Sequence, residues 1–143
     1  MSIKKPLAIL ISSFLLFTAG TATLHANTTT KPKPFLIQGK LPHLTMMVKM
    51  MWDDQDLALT PTQKQKLLKI RKETISGVQK LKKKIMQLES KIVTASNQGA
   101  NPASLKKDVY KLANMRAQAT MLHLKCIYNT RKILTEEQRD ILE

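Results

Sequence analysis

The sequence predicts an all-α protein, an elongated hairpin of two long antiparallel helices with a short helix at each end. Three observations lead there. Lys, Leu, Gln, Met and Ala favour helix, there are four glycines in 143 residues, and no alternating Val- or Thr-rich run is bounded by turns. Apolar residues recur at spacings of three and four through two long segments. Helix-start signals open both segments, and one short polar turn separates them.

The chain opens with Lys4 and Lys5, an apolar run from Leu7 to Phe17, and small and polar residues ending in Leu24-His25-Ala26. This is the three-part layout of a secretory signal peptide, residues 1–26. Cleavage is expected after Ala26, with Ala22 the alternative because Leu24 is bulkier than a cut site prefers. The apolar run is shorter than the roughly 20 residues a membrane-spanning helix needs, so stable membrane insertion is not expected. No cysteine follows the run, which removes a lipoprotein anchor. The expected destination is the periplasm.

Residues 27–41 are Thr-rich and then carry Lys31-Pro32-Lys33-Pro34, which resists helix and is well solvated. They read as a flexible N-terminal arm, and residues 42–143 as the helical domain. A first helix follows Pro42 and runs to about Trp52, placing Met46, Met47, Met50 and Met51 along one face.

The long helices have sharper boundaries. Thr60-Pro61-Thr62-Gln63 is a capping box: the Thr60 hydroxyl accepts the Gln63 amide, the Gln63 side chain reaches back to the Thr60 amide, and Pro61 suits the first helical position. From there Leu67, Ile70, Thr74, Val78, Leu81, Ile85, Leu88 and Ile92 form one stripe, with Gly77 inside the helix. Asn97-Gln98-Gly99-Ala100-Asn101-Pro102 turns the chain, and Asn101 and Pro102 cap the next helix. Leu105, Val109, Leu112, Met115, Ala119, Leu122 and Cys126 continue the pattern, and Thr135-Glu136-Glu137-Gln138 starts a terminal helix. The short turn makes the pair antiparallel. Each long helix would extend roughly 45 to 55 Å. With one stripe buried per helix, Leu68, Ile75, Met86, Val93, Met121 and Leu124 are left over, and a symmetric copy is the simplest cover, so a homodimer is expected.

The formal charge of +14 falls to +12 once Lys4 and Lys5 leave with the leader. Acidic or neutral partners are expected. Nucleic acid would be the first guess for such a charge in the cytoplasm, but export removes it. Cys126 is the only cysteine, so no disulfide can form within one chain. It is either a buried inert thiol or a bridge between two copies.

Leu59-Thr60-Pro61-Thr62-Gln63 and Leu134-Thr135-Glu136-Glu137-Gln138 are two LTxxQ motifs flanking a helical hairpin in a basic exported chain. The pattern resembles the Spy/CpxP family of periplasmic stress proteins from about Met46 to Leu142. Met50-Met51-Trp52, Met121-Leu122-His123 and Ile127-Tyr128-Asn129 are similar to the Spy branch. The resemblance implies a thin, curved, cradle-like antiparallel homodimer. It also implies a chaperone that works without ATP and limits aggregation of unfolded envelope proteins. CpxP-like relatives instead restrain an envelope stress sensor kinase, whose periplasmic domain is the alternative partner.

The motif residues Leu59, Thr60, Gln63, Leu134, Thr135 and Gln138 read as structure: the polar ones fix helix starts and the leucines pack as staples. Client contacts are expected at Met46, Met47, Met50 and Met51, whose flexible thioethers adapt to varied shapes, and at Lys64, Arg71, Lys72, Lys82 and His123. The basic groups attract acidic segments over a Debye length of about 8 Å. The rival chemistry is soft-metal binding, of copper or zinc, with His43, Met46, Met50, His123 and Cys126 as the available ligands. No tight His/Cys/carboxylate cluster is readable, so no metal or cofactor is expected. No nucleophile–base pairing, paired carboxylates or phosphate loop is readable either, and no enzymatic activity is expected.

Overall fold

The computed structural model describes residues 33–39 and 41–142. The signal peptide read at 1–26 and the start of the arm lie outside the described residues. Among the described residues there are four helices, α1 (Leu44–Met50), α2 (Pro61–Asn97), α3 (Pro102–Ile133) and α4 (Glu136–Leu142), and no strand. The all-helical fold and the long antiparallel pair are as the sequence predicts, with α2 and α3 packed along one another.

Each boundary has a local cause. At the start of α2 the Thr60 hydroxyl accepts from the Gln63 amide and the Gln63 side chain accepts from the Thr60 amide, with Pro61 in the first turn. At its end Gly99 adopts φ +79, and Ala100 and Gly99 donate to the carbonyls of Ala95 and Ser96. That is a Schellman motif, which requires a left-handed residue where glycine stands. Asn101 then caps α3 by accepting from the Ala103 amide at 2.9 Å. Between α1 and α2 the Asp54 carboxylate accepts from the amides of Asp56 and Leu57. This folds the connection inward and leaves Ala58 at φ +41.

The α2 stripe is withdrawn from solvent along its whole length, with Leu67 and Ile85 fully buried. On α3 the pattern holds except at Val109, which is exposed; its place facing α2 is taken by Asp108, which pairs with Lys91 at 2.7 Å. Gly77 sits where a Cβ would come within 2.9 Å of the Leu122 side chain, so glycine lets α2 and α3 close up there. The densest packing lies at the open end of the hairpin. There α1 and α4 close over a core of Val48, Leu57, Leu59, Leu67, Leu134 and Leu142, flanked by Met47, Met51, Trp52 and Ile133.

The described part of the arm is not free. Pro34 is buried, the Leu36 amide donates to the Thr120 hydroxyl at 2.8 Å, and Phe35 stacks on His123. Barred from helix by proline, the segment has no helical ladder to satisfy its backbone; the Gln38 side chain serves the Phe35 carbonyl, and α3 supplies a further partner.

Candidate functional site

The two LTxxQ motifs, separated by the whole hairpin in sequence, meet in space. The Gln63 side-chain amide donates to the Gln138 side-chain oxygen at 2.7 Å and to the Ile133 carbonyl at 2.9 Å. Gln138 donates to the Leu57 carbonyl at 2.8 Å, and its oxygen accepts from the Thr135 amide at 3.1 Å. Each glutamine therefore uses its oxygen to cap its own helix and its NH2 to tie down the other motif. The Thr135 hydroxyl also accepts from the Gln138 amide, so the second capping box is complete. Beside it the Glu137 carboxyl is held below its usual range, first by its own backbone amide and then by the Thr135 hydroxyl.

Leu59 and Leu134 are buried, but the position a local staple would use holds Lys64 or Arg139. The leucines pack in the shared core with Leu57 and Leu67 instead. Sequence spacing alone gives the caps. That the two motifs are copies of one another was the available signal that they meet.

Over residues 45–143 the chain matches the LTXXQ motif family, described as LTXXQ motif family protein. The chain belongs to the LTXXQ motif family. That family includes Spy and CpxP, and its proteins are periplasmic. No curated protein and no solved structure matches the chain. No helix among the described residues is long and apolar enough to cross a membrane.

The residues expected to touch clients are not gathered in one place. Met46 and Met50 point outward, Met50 being 79% exposed, whereas Met47 and Met51 pack on the core; the methionine face is split in two. Lys64 is engaged with Asp53 at 2.8 Å and lies 5.6 Å from the Trp52 ring. Arg71 is half-buried, Lys82 is half-buried and Lys72 is exposed. His123 is only 8% exposed, held under Phe35 and against His43, and is not a surface contact. A helical-face reading could not see a ring supplied from the arm.

The soft-ligand set is partly assembled. His43, Met46, His123 and Cys126 line one cavity of about 230 Å³ between α1, α2 and α3, and Met50 lies outside it. Cys126 is buried, with its sulfur 3.8 Å from the Thr45 hydroxyl. Among the described residues no three His, Cys, Asp or Glu side chains are grouped to hold a metal ion.

One large concavity takes in Met121 and Leu124, two of the apolar residues that the sequence pattern leaves over for a second copy. Leu81, Ala117, Met121, Leu122, Leu124 and Tyr128 line an open trough of about 820 Å³ along the α2–α3 pair, with Gln118 and Lys125 at its edge. Met121 and Tyr128 are 63% and 59% exposed, and the Lys132 ammonium lies 4.6 Å from the Tyr128 ring. A second apolar line runs down α2: Leu68, Ile75, Met86 and Val93 are all exposed. At 3.6 residues per turn they fall within about 20° of each other on the helix surface, and Leu81 points to a different side.

Proposed function

We propose that this protein is a Spy-type periplasmic chaperone. As a homodimer without ATP or cofactor, it binds unfolded or partly folded envelope proteins and limits their aggregation. It is not an enzyme. The observation that supports the reading best is the open trough around Met121, Leu122 and Tyr128, apolar inside and edged by Lys125 and Lys132. Basic groups draw in acidic segments at a distance, and flexible or flat apolar side chains hold them weakly at short range. A shallow, largely exposed surface suits many sequences, because it demands no one shape.

The outer line of α2, Leu68 to Val93, is the surface assigned to the second copy, on a different side of α2 from the trough residue Leu81. Light scattering behind a sizing column should give twice the mass of the mature chain at micromolar concentration. A monomer there removes the dimer. Export with cleavage after Ala26 belongs to the same reading, and mass spectrometry of the periplasmic protein should give Asn27 as the first residue.

The deciding test follows aggregation of two unrelated unfolding proteins, with purified mature protein near stoichiometric ratio, no ATP and a chelator present. Suppression of both is expected, and Met121→Ser with Tyr128→Ser should weaken it without lowering helix content. Suppression of neither, with saturable binding to one sensor-kinase periplasmic domain, would replace the chaperone with a CpxP-type regulator. Rescue only by copper or zinc would replace it with metal binding.

A further inference from the structure

His43 and His123 stack ring on ring, with centroids 4.7 Å apart and planes 20° from parallel. Phe35 stacks on His123 at 5.2 Å, so three aromatic rings join the arm, the start of α1 and α3. The arm has few other ties: the Leu36 amide to Thr120, the Arg116 guanidinium to the Lys33 carbonyl at 3.4 Å, and the burial of Pro34. Residues 33–39 form neither helix nor strand, and the ring pile is their largest anchor.

The charge around that pile has one sign. On one side His123 and His43 share a small cavity with Lys33 of the arm; on the other they share one with Arg71 of α2 and Cys126 of α3. Among the described residues lining the two cavities there is no carboxylate. Of the cations on this stretch of α3, Arg116 is paired with Glu89, and Lys125 lies at the edge of the α2–α3 trough. A proton arriving on the buried His123 would therefore meet the ring of His43, with no carboxylate among the cavity residues to balance it.

We propose that residues 33–39 are a proton-released strap, docked on α3 while His123 is neutral and let go when His123 is protonated. Burial, and after it the neighbouring His43, holds the His123 imidazole below its ordinary value; its bond to the Pro42 carbonyl works the other way and is the smaller effect. Once the strap leaves, His123 moves back toward about 6.5. The released form thus binds the proton more readily, so docking is complete above about pH 6.5 and weakens as pH falls below it, by at most about tenfold per pH unit for one proton. The strap acts whatever the α2–α3 trough binds.

The experiment is amide exchange by NMR on the mature protein with a chelator present, reading the protection factor of the Leu36 amide, which is bonded to Thr120 only in the docked state. From pH 7.5 to 5.5 protection should fall, by at most about tenfold. His123→Phe keeps a ring for Phe35 but cannot take a proton, and should stay protected at both pH values. His43→Gln removes the neighbouring imidazole while leaving His123, and should show a smaller fall. Protection that is absent at pH 7.5, equal at both pH values in the native chain, or lost with pH in His123→Phe as in the native chain overturns the strap.

Discussion

The two ends of the hairpin are built from the same helices and held by different physics. At the motif end, α1, α4 and the turn before α2 enclose six buried aliphatic residues, and two glutamines cross-link the caps. Beyond Ile85 and Met115, toward the Gly99 turn, no described residue is fully buried. That tip relies on half-buried Leu88, Ile92, Leu105 and Leu112, on the ion pair of Lys91 with Asp108, and on its helix caps. Burial of aliphatic groups and satisfied buried amides carry stability, whereas exposed ion pairs contribute little. The fold is therefore anchored at one end, and the tip is the end free to adapt.

The largest contrast comes from removing equivalent apolar groups at the two ends. Leu57→Ala, at a fully buried position, should destabilise the protein by roughly 3 kcal/mol. Val93→Ala, at an exposed position near the tip, should change monomer stability by less than about 0.5 kcal/mol. Urea unfolding followed by circular dichroism measures both. Comparable losses would mean that the tip is packed as tightly as the motif end.

The glutamine pair sharpens the same comparison. Gln138→Ala strands the Leu57 carbonyl and the Thr135 amide in a buried place, at a cost of about 2 kcal/mol. Gln63→Ala, nearer to water, should cost about 1 kcal/mol. Because each side chain is partner to the other, the double variant should lose less than the sum of the two, by roughly 0.5 to 1 kcal/mol. Strict additivity would show two independent caps.

Much of this was legible from local spacing. Thr60 with Gln63, Asn101 with Pro102 and the Gly99 turn are short-range signals, and both ends of α2 and the start of α3 fall where those residues stand. Register between helices was not legible. From Leu105 a step of three or a step of four is equally helical, and Lys91 on the facing helix selects Asp108 over Val109. The same limit hid the Gln63–Gln138 contact and the burial of His123, because both partners arrive from distant segments. It also merged the methionines into one face, when the core lies between the Met46–Met50 and Met47–Met51 lines.

A smaller effect is expected at the link between α1 and α2. Ala58 is held at φ +41, a left-handed conformation costing a residue with a Cβ about 1 kcal/mol, because Asp54 and the buried Leu57 fix the turn around it. Glycine relieves that cost but gives the unfolded chain more freedom, worth about 0.5 kcal/mol in the other direction. Ala58→Gly should therefore raise stability by about 0.5 kcal/mol in the same urea assay. A loss would show that the turn is not the constraint.

The smallest effect tests whether the tip is tied ionically. The Lys91 hydrogen bond holds the Asp108 carboxyl below its usual range, against a lesser opposing effect of desolvation. Because the folded value is the lower one, the pairing is fully present above the ordinary carboxylate range and is lost as pH falls through the depressed value. Amides near Asp108 and Lys91 should therefore lose exchange protection on acidification below about pH 4, while those of the α2 start stay protected until the protein unfolds. Asp108→Asn should show the same loss of protection already at neutral pH and leave the unfolding midpoint within error. If Asp108→Asn instead lowered the midpoint as Gln138→Ala does, the tip would be a second anchor and the asymmetry between the two ends would be gone.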